Sequence, residues 1–416
     1  MRSKRIVSLI VSLLLLLNQS LYANATLKAT DNGAKIIASG DINLNSTTIT
    51  NQGDMSSGGT TTLNASGNIY NEGGNIHADN ALMLQANGGI YNISSNLSAQ
   101  VIAINANTFQ SDMDVKNISQ TYAGIGSQNS QLLSDMSTLN ALNGISIQTK
   151  NTLSLIGTTL NAGGALSLVS TEGDIAIASK THEDSFDFNI KGGYNKGKSV
   201  EHLASSLNAE NISINANQVN VIASDLAAKK DIVLQGKEGV SILAENDLAY
   251  TESKLKTKGS FGSKKTTLDM SHKESVVQSN LNANNILIQS SDASVTLEAA
   301  NLIAKENIVV DAKADINVLA KQYREGEMHS VTKSSFGGLK QSASMNRVDA
   351  LNAKEAELRT EALNIIMKSG NDIKVIGSNI DAASDLQLLA ANEVLIAAAQ
   401  EFSQNEQWRD KGDRLL

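Results

Sequence analysis

The sequence predicts an all-β chain: a parallel β-helix built from coils of about 20 residues, with β-hairpins protruding from it. Three observations carry that expectation. They are a coil-length repeat in the first third, a longer repeat of similar coils in the remainder, and a side-chain inventory suited to a thin core. Near the start, "TTTLNASGNIYN" from Thr60, "ALMLQANGGIYN" from Ala81 and "VIAINAN" from Val101 align. Their apolar anchors Leu63, Leu84 and Ile104 follow one another at a coil length. Within each segment apolar and polar residues alternate briefly and then stop at Gly or Asn, the pattern of a short strand followed by a tight turn. A coil of that length holds about three strands, and coils stack at the ~4.8 Å spacing of hydrogen-bonded strands.

Aromatic residues are 3% of the 416, and proline and cysteine are absent. A compact enzyme core leans on bulkier side chains to fill its volume. Small, evenly spread apolar groups suit an elongated core instead. Asn and Gly recur where corners fall because both tolerate left-handed backbone, and a stacked Asn can bond its counterpart one coil away.

The opening "MRSKRIVSLIVSLLLLLNQSLYANA" has a basic start at Arg2, Lys4 and Arg5, an apolar run from Ile6 to Leu17, and small residues at Ala23 and Ala25. It reads as a secretory signal peptide over residues 1–25, cleaved at the Ala23-Asn24-Ala25 site. The apolar run is shorter than the ~20 residues a spanning helix needs. Export places the chain in an oxidising compartment, yet without cysteine it relies on backbone ladders and packing.

Simple coils are expected over residues 26–107 and an irregular link over 108–144, where the coil register breaks. Over 145–392 the coils are grouped into longer units, whose anchors Leu160, Leu226, Leu302 and Ile380 are each more than three coil lengths beyond the last. Hairpin inserts are expected near 180–204, 249–279 and 321–356, and a C-terminal cap or tail, drawn as a small helix bearing Trp408, over 393–416. In the first insert Phe186, Phe188 and Ile190 alternate with polar residues before Gly192-Gly193, the mark of a hairpin. Ser-Phe-Gly recurs in the other two at Phe261 and Phe336.

Charge and aromatics sort into the inserts. Basic and acidic residues number 4 and 4 in the first, 6 and 3 in the second, and 6 and 4 in the third. The inserts therefore carry +5 against a net charge of −8, which leaves −13 on the remaining chain. An acidic shaft would thus bear basic, aromatic-tipped hairpins. Lys258, Phe261, Lys264, Lys265, Phe336 and Lys340 are the candidate contact residues, suited to anionic glycans or other envelope components by charge attraction and stacking. The plainer reading is that Lys blunts exposed hairpin edges and each Phe packs back on the shaft.

Nothing in the sequence assembles a catalytic, metal or cofactor site. His182, His202, His272 and His329 are scattered along the chain with no cysteine and no second His close by, which is not zinc-ligand spacing. Nucleophile-elbow, phosphate-loop and calcium-nonapeptide motifs are missing. The expectation is a protein that is not an enzyme; a polysaccharide-acting β-helix enzyme is the remaining catalytic alternative.

The stretch "SGDINLNSTTITNQGDMSSGGTTTLNASGNIYNEGGNIHADN" and the later units with hairpin inserts resemble the haemagglutinin repeats of filamentous-haemagglutinin-like exoproteins, over about 30–400. These large bacterial surface proteins, exported by two-partner secretion, include adhesins and the stalks of contact-dependent growth inhibition systems. The resemblance implies a right-handed β-helical rod, secreted or on the cell surface, or periplasmic if surface export fails. It implies attachment to a host or neighbouring-cell glycan or protein receptor, an outer-membrane two-partner transporter as export partner, and no nucleic acid. The alternative it offers is a stalk segment or truncated relic of a toxin-delivery protein. One departure stands out: with no proline, the Asn-Pro-Asn motifs of the family's secretion domain are not present.

Overall fold

The computed structural model describes residues 25–27, 34–335 and 338–413. Those residues are all-β, arranged as one 31-stranded sheet and one 9-stranded sheet. No α-helix occurs among the described residues, and a 3-10 turn lies at Ser260–Gly262.

Strand alternation fixes which side chains face inward. In Thr61–Ala65 the buried positions are Thr61, Leu63 and Ala65, and the two between them face out. The chain passes through three such strands and then returns to the first ladder: Asp54–Ser57, Thr61–Ala65 and Ile69–Glu72 are followed by Asn75–Ala78, which pairs in parallel with Asp54–Ser57. Each circuit therefore stacks on the one before. Anchors Leu63, Leu84 and Ile104 are direct register partners. Their column continues through Ile147, Leu168, Ile214 and Leu234 to Ile288, Val310 and Met367, all buried. A one-residue slip would turn every one of these side chains outward, so the core sets the register.

Polar residues stack in the same way. The amide of Asn51 donates to Asn71 at 2.7 Å and that of Asn71 to Asn92 at 2.8 Å, inside the stack. On the outside, Asn161 donates to Asn140 at 2.8 Å and accepts from Asn208 at 3.1 Å.

The long repeat is two coils plus one hairpin. Along one side Leu97, Leu139, Leu160, Leu207, Leu226, Leu281, Leu302, Leu358 and Ile380 form a second column of register partners. Steps along the chain alternate: long from Leu160 to Leu207 and short to Leu226, then long to Leu281 and short to Leu302. Each long step holds a hairpin: Lys180–Ile190 with Gly193–Leu203, Glu245–Lys258 with Lys264–Val277, and Lys321–Ser335 with Lys340–Lys354.

The structure corrects two expectations. The segment 108–144, expected as an irregular link, holds the coil strand Thr108–Asp112, a hairpin of Val115–Tyr122 with Gly126–Leu133, and the start of Ser137–Thr149. The passage from Leu97 to Leu139 is one more long step. Sequence pattern does not disclose it, because its strands are rich in Ser, Gln and Asn and lack the Ser-Phe-Gly turn. The final segment is neither a helix nor a cap. Phe402–Asp413 is a strand antiparallel to Lys340–Leu351 and does not cover the preceding coil, where Leu386, Leu389 and Ile396 are exposed.

Asn71→Ala strips the buried Asn92 oxygen of its donor and should cost about 2 kcal/mol. Asn161→Ala, in the exposed ladder, should stay within ~0.5 kcal/mol. Urea unfolding midpoints compare the two, and equal midpoints would rule out a stabilising role for the inner ladder.

Candidate binding surface on the hairpin sheet

The four hairpins and the last strand join edge to edge into the nine-stranded antiparallel sheet, a fin standing off the coil stack. Gly126–Asn129 pairs with Ser185–Phe188, Gly193–Val200 with Leu248–Leu255, and Lys264–Lys273 with Glu325–Ser334. Among the described residues no group of three or more His, Cys, Asp and Glu is placed to hold a metal.

Side chains on the faces of the fin are largely engaged with one another. Phe186 stacks on Phe188 at 5.8 Å, and Tyr122 of the preceding hairpin lies 5.8 Å from Phe188. These rings hold neighbouring hairpins together and do not pack back on the shaft. The His202 ring bonds Asp247 at 2.9 Å and the His329 ring bonds Asp269 at 2.5 Å, each across two strands.

The densest of these knots is at Glu252. It accepts from the hydroxyls of Tyr194 and Tyr250 at 2.5 Å each and pairs with Lys196 at 2.9 Å. Those bonds, that from Tyr194 first, hold its carboxyl down to about 2. The same carboxylate raises both phenols and the Lys196 ammonium above their ordinary values.

At the outer rim the arrangement changes. A cavity of about 530 Å³ between the tips of the last two hairpins and the final strand is lined by Lys258, Lys264, Lys265, Lys333, Lys340 and Lys411. No Asp or Glu lines it among the described residues. Lys258 stands directly opposite Lys264, and Lys265 opposite Lys333, although like charges facing across strands are destabilising. Among the residues whose side chains are described, none is in an ion pair with any of the six lysines.

Four residues singled out from sequence, Lys258, Lys264, Lys265 and Lys340, therefore share one site. Phe261 sits beside it in the Ser260–Gly262 turn, 90% exposed and outside the cavity lining. Phe336 lies outside the described residues, as does Ala23, while Ala25 opens a strand paired with Ile49–Asn51. Sequence reasoning misses Lys333 and Lys411. Lys333 precedes the second Ser-Phe-Gly as Lys258 precedes the first, a signal available in sequence. Lys411 joins only because the final segment is a strand of the fin.

The hemagglutinin-repeat family model matches residues 257–357 and, again, 337–413. Both matches run through a return strand, two coils and the next outgoing strand, and the first continues along the following return strand. Over residues 257–413 the chain is thus built of hemagglutinin repeats of the filamentous haemagglutinin-like type. This hemagglutinin-repeat chain is also 25% identical over 189 residues to the 16S rRNA endonuclease CdiA of Enterobacter cloacae. The matched part is 45% of the chain and 5% of that protein, so the chain spans only a small share of the relative's length. No solved structure matches it.

Because the Glu252 carboxyl is depressed, its stabilisation is present above the ordinary value of 4.5 and is lost as pH falls toward about 2. Glu252→Gln should therefore destabilise the fin by roughly 2 kcal/mol at neutral pH, with the difference from wild type closing by about pH 2. Hydrogen exchange in Gly193–Leu203 across that range reads it, and a pH-independent difference would refute the assignment.

Proposed function

We propose that this hemagglutinin-repeat chain is a non-enzymatic attachment module: an exported β-helical rod whose hairpin sheet ends in a cationic rim that contacts the negatively charged surface of another cell. The observation that carries the reading is the cavity of six lysines with no acidic lining among the described residues. Cations held close together without partners cost stability, and their field draws in an anionic surface. The fin sets them well away from an acidic shaft: Glu245–Lys258 has 14 residues, roughly 45 Å of extended chain. A right-handed rod is the hand we infer, because crossovers between parallel neighbouring strands of one sheet are right-handed in nearly all cases. Export rests on the signal-peptide pattern of residues 1–25; on this reading the rod is secreted or held at the cell surface, or periplasmic if surface export fails.

A second reading, the stalk of a contact-dependent inhibition protein, is favoured by one observation. The CdiA relative devotes only 5% of its length to the matched coils. In that reading the same rim serves contact with the target cell.

The combined variant Lys258→Ala, Lys264→Ala, Lys265→Ala and Lys333→Ala should lower binding of the purified chain to whole cells at least about tenfold at physiological salt. Wild-type binding should fall to the variant's level at ~0.5 M salt, where the screening length is only a few ångströms. Undiminished binding by the variant would overturn the proposal.

A further inference from the structure

The hairpins do not reach equally far. Gly126, where the first turns, pairs with Phe188, short of the strand end at Ile190. Gly193, where the second turns, pairs with Leu255 and the Lys256 N–H donates to Gly192 in the turn, so Thr257, Lys258 and their own turn overhang it. Beyond that point the rim levels off: Lys264 pairs with Ser334, and only Ser335 with Lys340 lies further out. The last strand reaches the same level through Asp413 opposite Lys340. Four adjacent strands thus turn at a common front roughly 14 Å wide, to which the last strand extends, and this front is the one that carries the lysines.

The two turns on this front present apolar side chains to solvent. Phe261 is 90% exposed and Leu339 48% exposed. Phe261 also has φ +55° and ψ +36°, a left-handed conformation that a bulky residue rarely adopts. Folding gains nothing from an exposed ring held at unfavourable backbone angles. Neither Phe261 nor Leu339 lines the lysine cavity. An oligosaccharide lying in the cavity would leave both unused, whereas a flat partner facing the front would meet apolar tips and cations at the same time.

We propose that these two tips dock on an anionic phospholipid bilayer, with Phe261 and Leu339 entering the headgroup–acyl boundary and the surrounding lysines meeting lipid phosphates. Apolar residues ringed by Lys are the chemistry of interfacial binding, since lysine stems lie along apolar surface while the ammonium stays at headgroup level. The inference rests on the reading of the rim as the attaching surface and names the partner that surface fits.

The test uses the purified chain and sedimenting phosphatidylcholine vesicles with or without about 30% phosphatidylglycerol, a surface negative enough to attract a basic cluster. The wild type should bind the anionic vesicles and ignore the neutral ones. Phe261→Ser with Leu339→Ser should weaken that binding at least about tenfold while leaving lysine-dependent retention on heparin unchanged. In a Trp408→Phe background, Phe261→Trp should shift its emission to the blue on anionic vesicles and be quenched by brominated acyl chains. An unmoved emission, or vesicle binding indifferent to the two apolar tips, would overturn the lipid assignment. If cells were still bound through the lysines in that case, the attachment reading would stand with a glycan or protein partner; loss of both would remove the attachment reading as well.

Discussion

The molecule depends on an equality of two spacings. Coils stack at the hydrogen-bonding distance of parallel strands, and neighbouring hairpins in the fin stack at the same distance, both ~4.8 Å per strand. A hairpin is two strands wide, so it occupies the rise of two coils. Hairpins that leave the stack at every second coil therefore meet edge to edge with no gap and no crowding. The alternation of long and short steps along the leucine column from Leu97 to Ile380 expresses that match. It also accounts for the strand Phe402–Asp413, which leaves where the next hairpin strand is due and finds Lys340–Leu351 as its partner.

Leaving a stack for the length of a hairpin and returning in register exposes backbone groups at the corner, and a column of hydroxyls satisfies them. Ser137, Ser205 and Ser279 each stand where a hairpin rejoins the coil, fully buried. Their hydroxyls donate to the carbonyls of Asp112, Ala178 and Leu243, each at the end of the strand that precedes the hairpin, at 2.6 to 2.7 Å. The next backbone N–H groups along the corner then donate to those hydroxyls, Thr158 to Ser205 and Ser224 to Ser279. The recurrence of "SSLNAENISINA" and "SNLNANNILIQS" has its cause here: Ser205 and Ser279 close the hinge, and Leu207 and Leu281 re-enter the core column. Ion pairs repeat at the outgoing side, Lys180 with Asp112 at 2.8 Å and Lys321 with Glu298 at 2.7 Å.

The coils are legible in the sequence because period-2 alternation and a fixed coil length are both local properties of the chain. Leu63, Leu84 and Ile104 can be aligned by eye, and the structure stacks them. Hairpin strands have no buried side to betray them. Where Ser-Phe-Gly marks the turn, as at Phe261, the insert can be seen; Val115–Leu133, rich in Asn, Ser and Gln and without that turn, cannot. The fin as a single sheet is out of reach altogether, since it is made of contacts between hairpins that belong to different long repeats. The same limit hides Lys411 from the lysine site.

The division of labour within the fin decides where a partner can be met. Its faces carry cross-strand contacts that hold hairpin to hairpin, at Glu252, at the histidine–aspartate pairs and at the Tyr122–Phe188 ring contact. Changing those residues loosens the sheet. The turns carry no such duty, because a strand pair closes on its backbone and leaves the turn side chains free. At the furthest turns this freedom has been used against stability, with lysines opposed to lysines and a phenylalanine held at positive φ in solvent. Residues that oppose folding persist where something compensates them; on the proposed reading that compensation is recognition at the rim, which the coils and hinges hold in place.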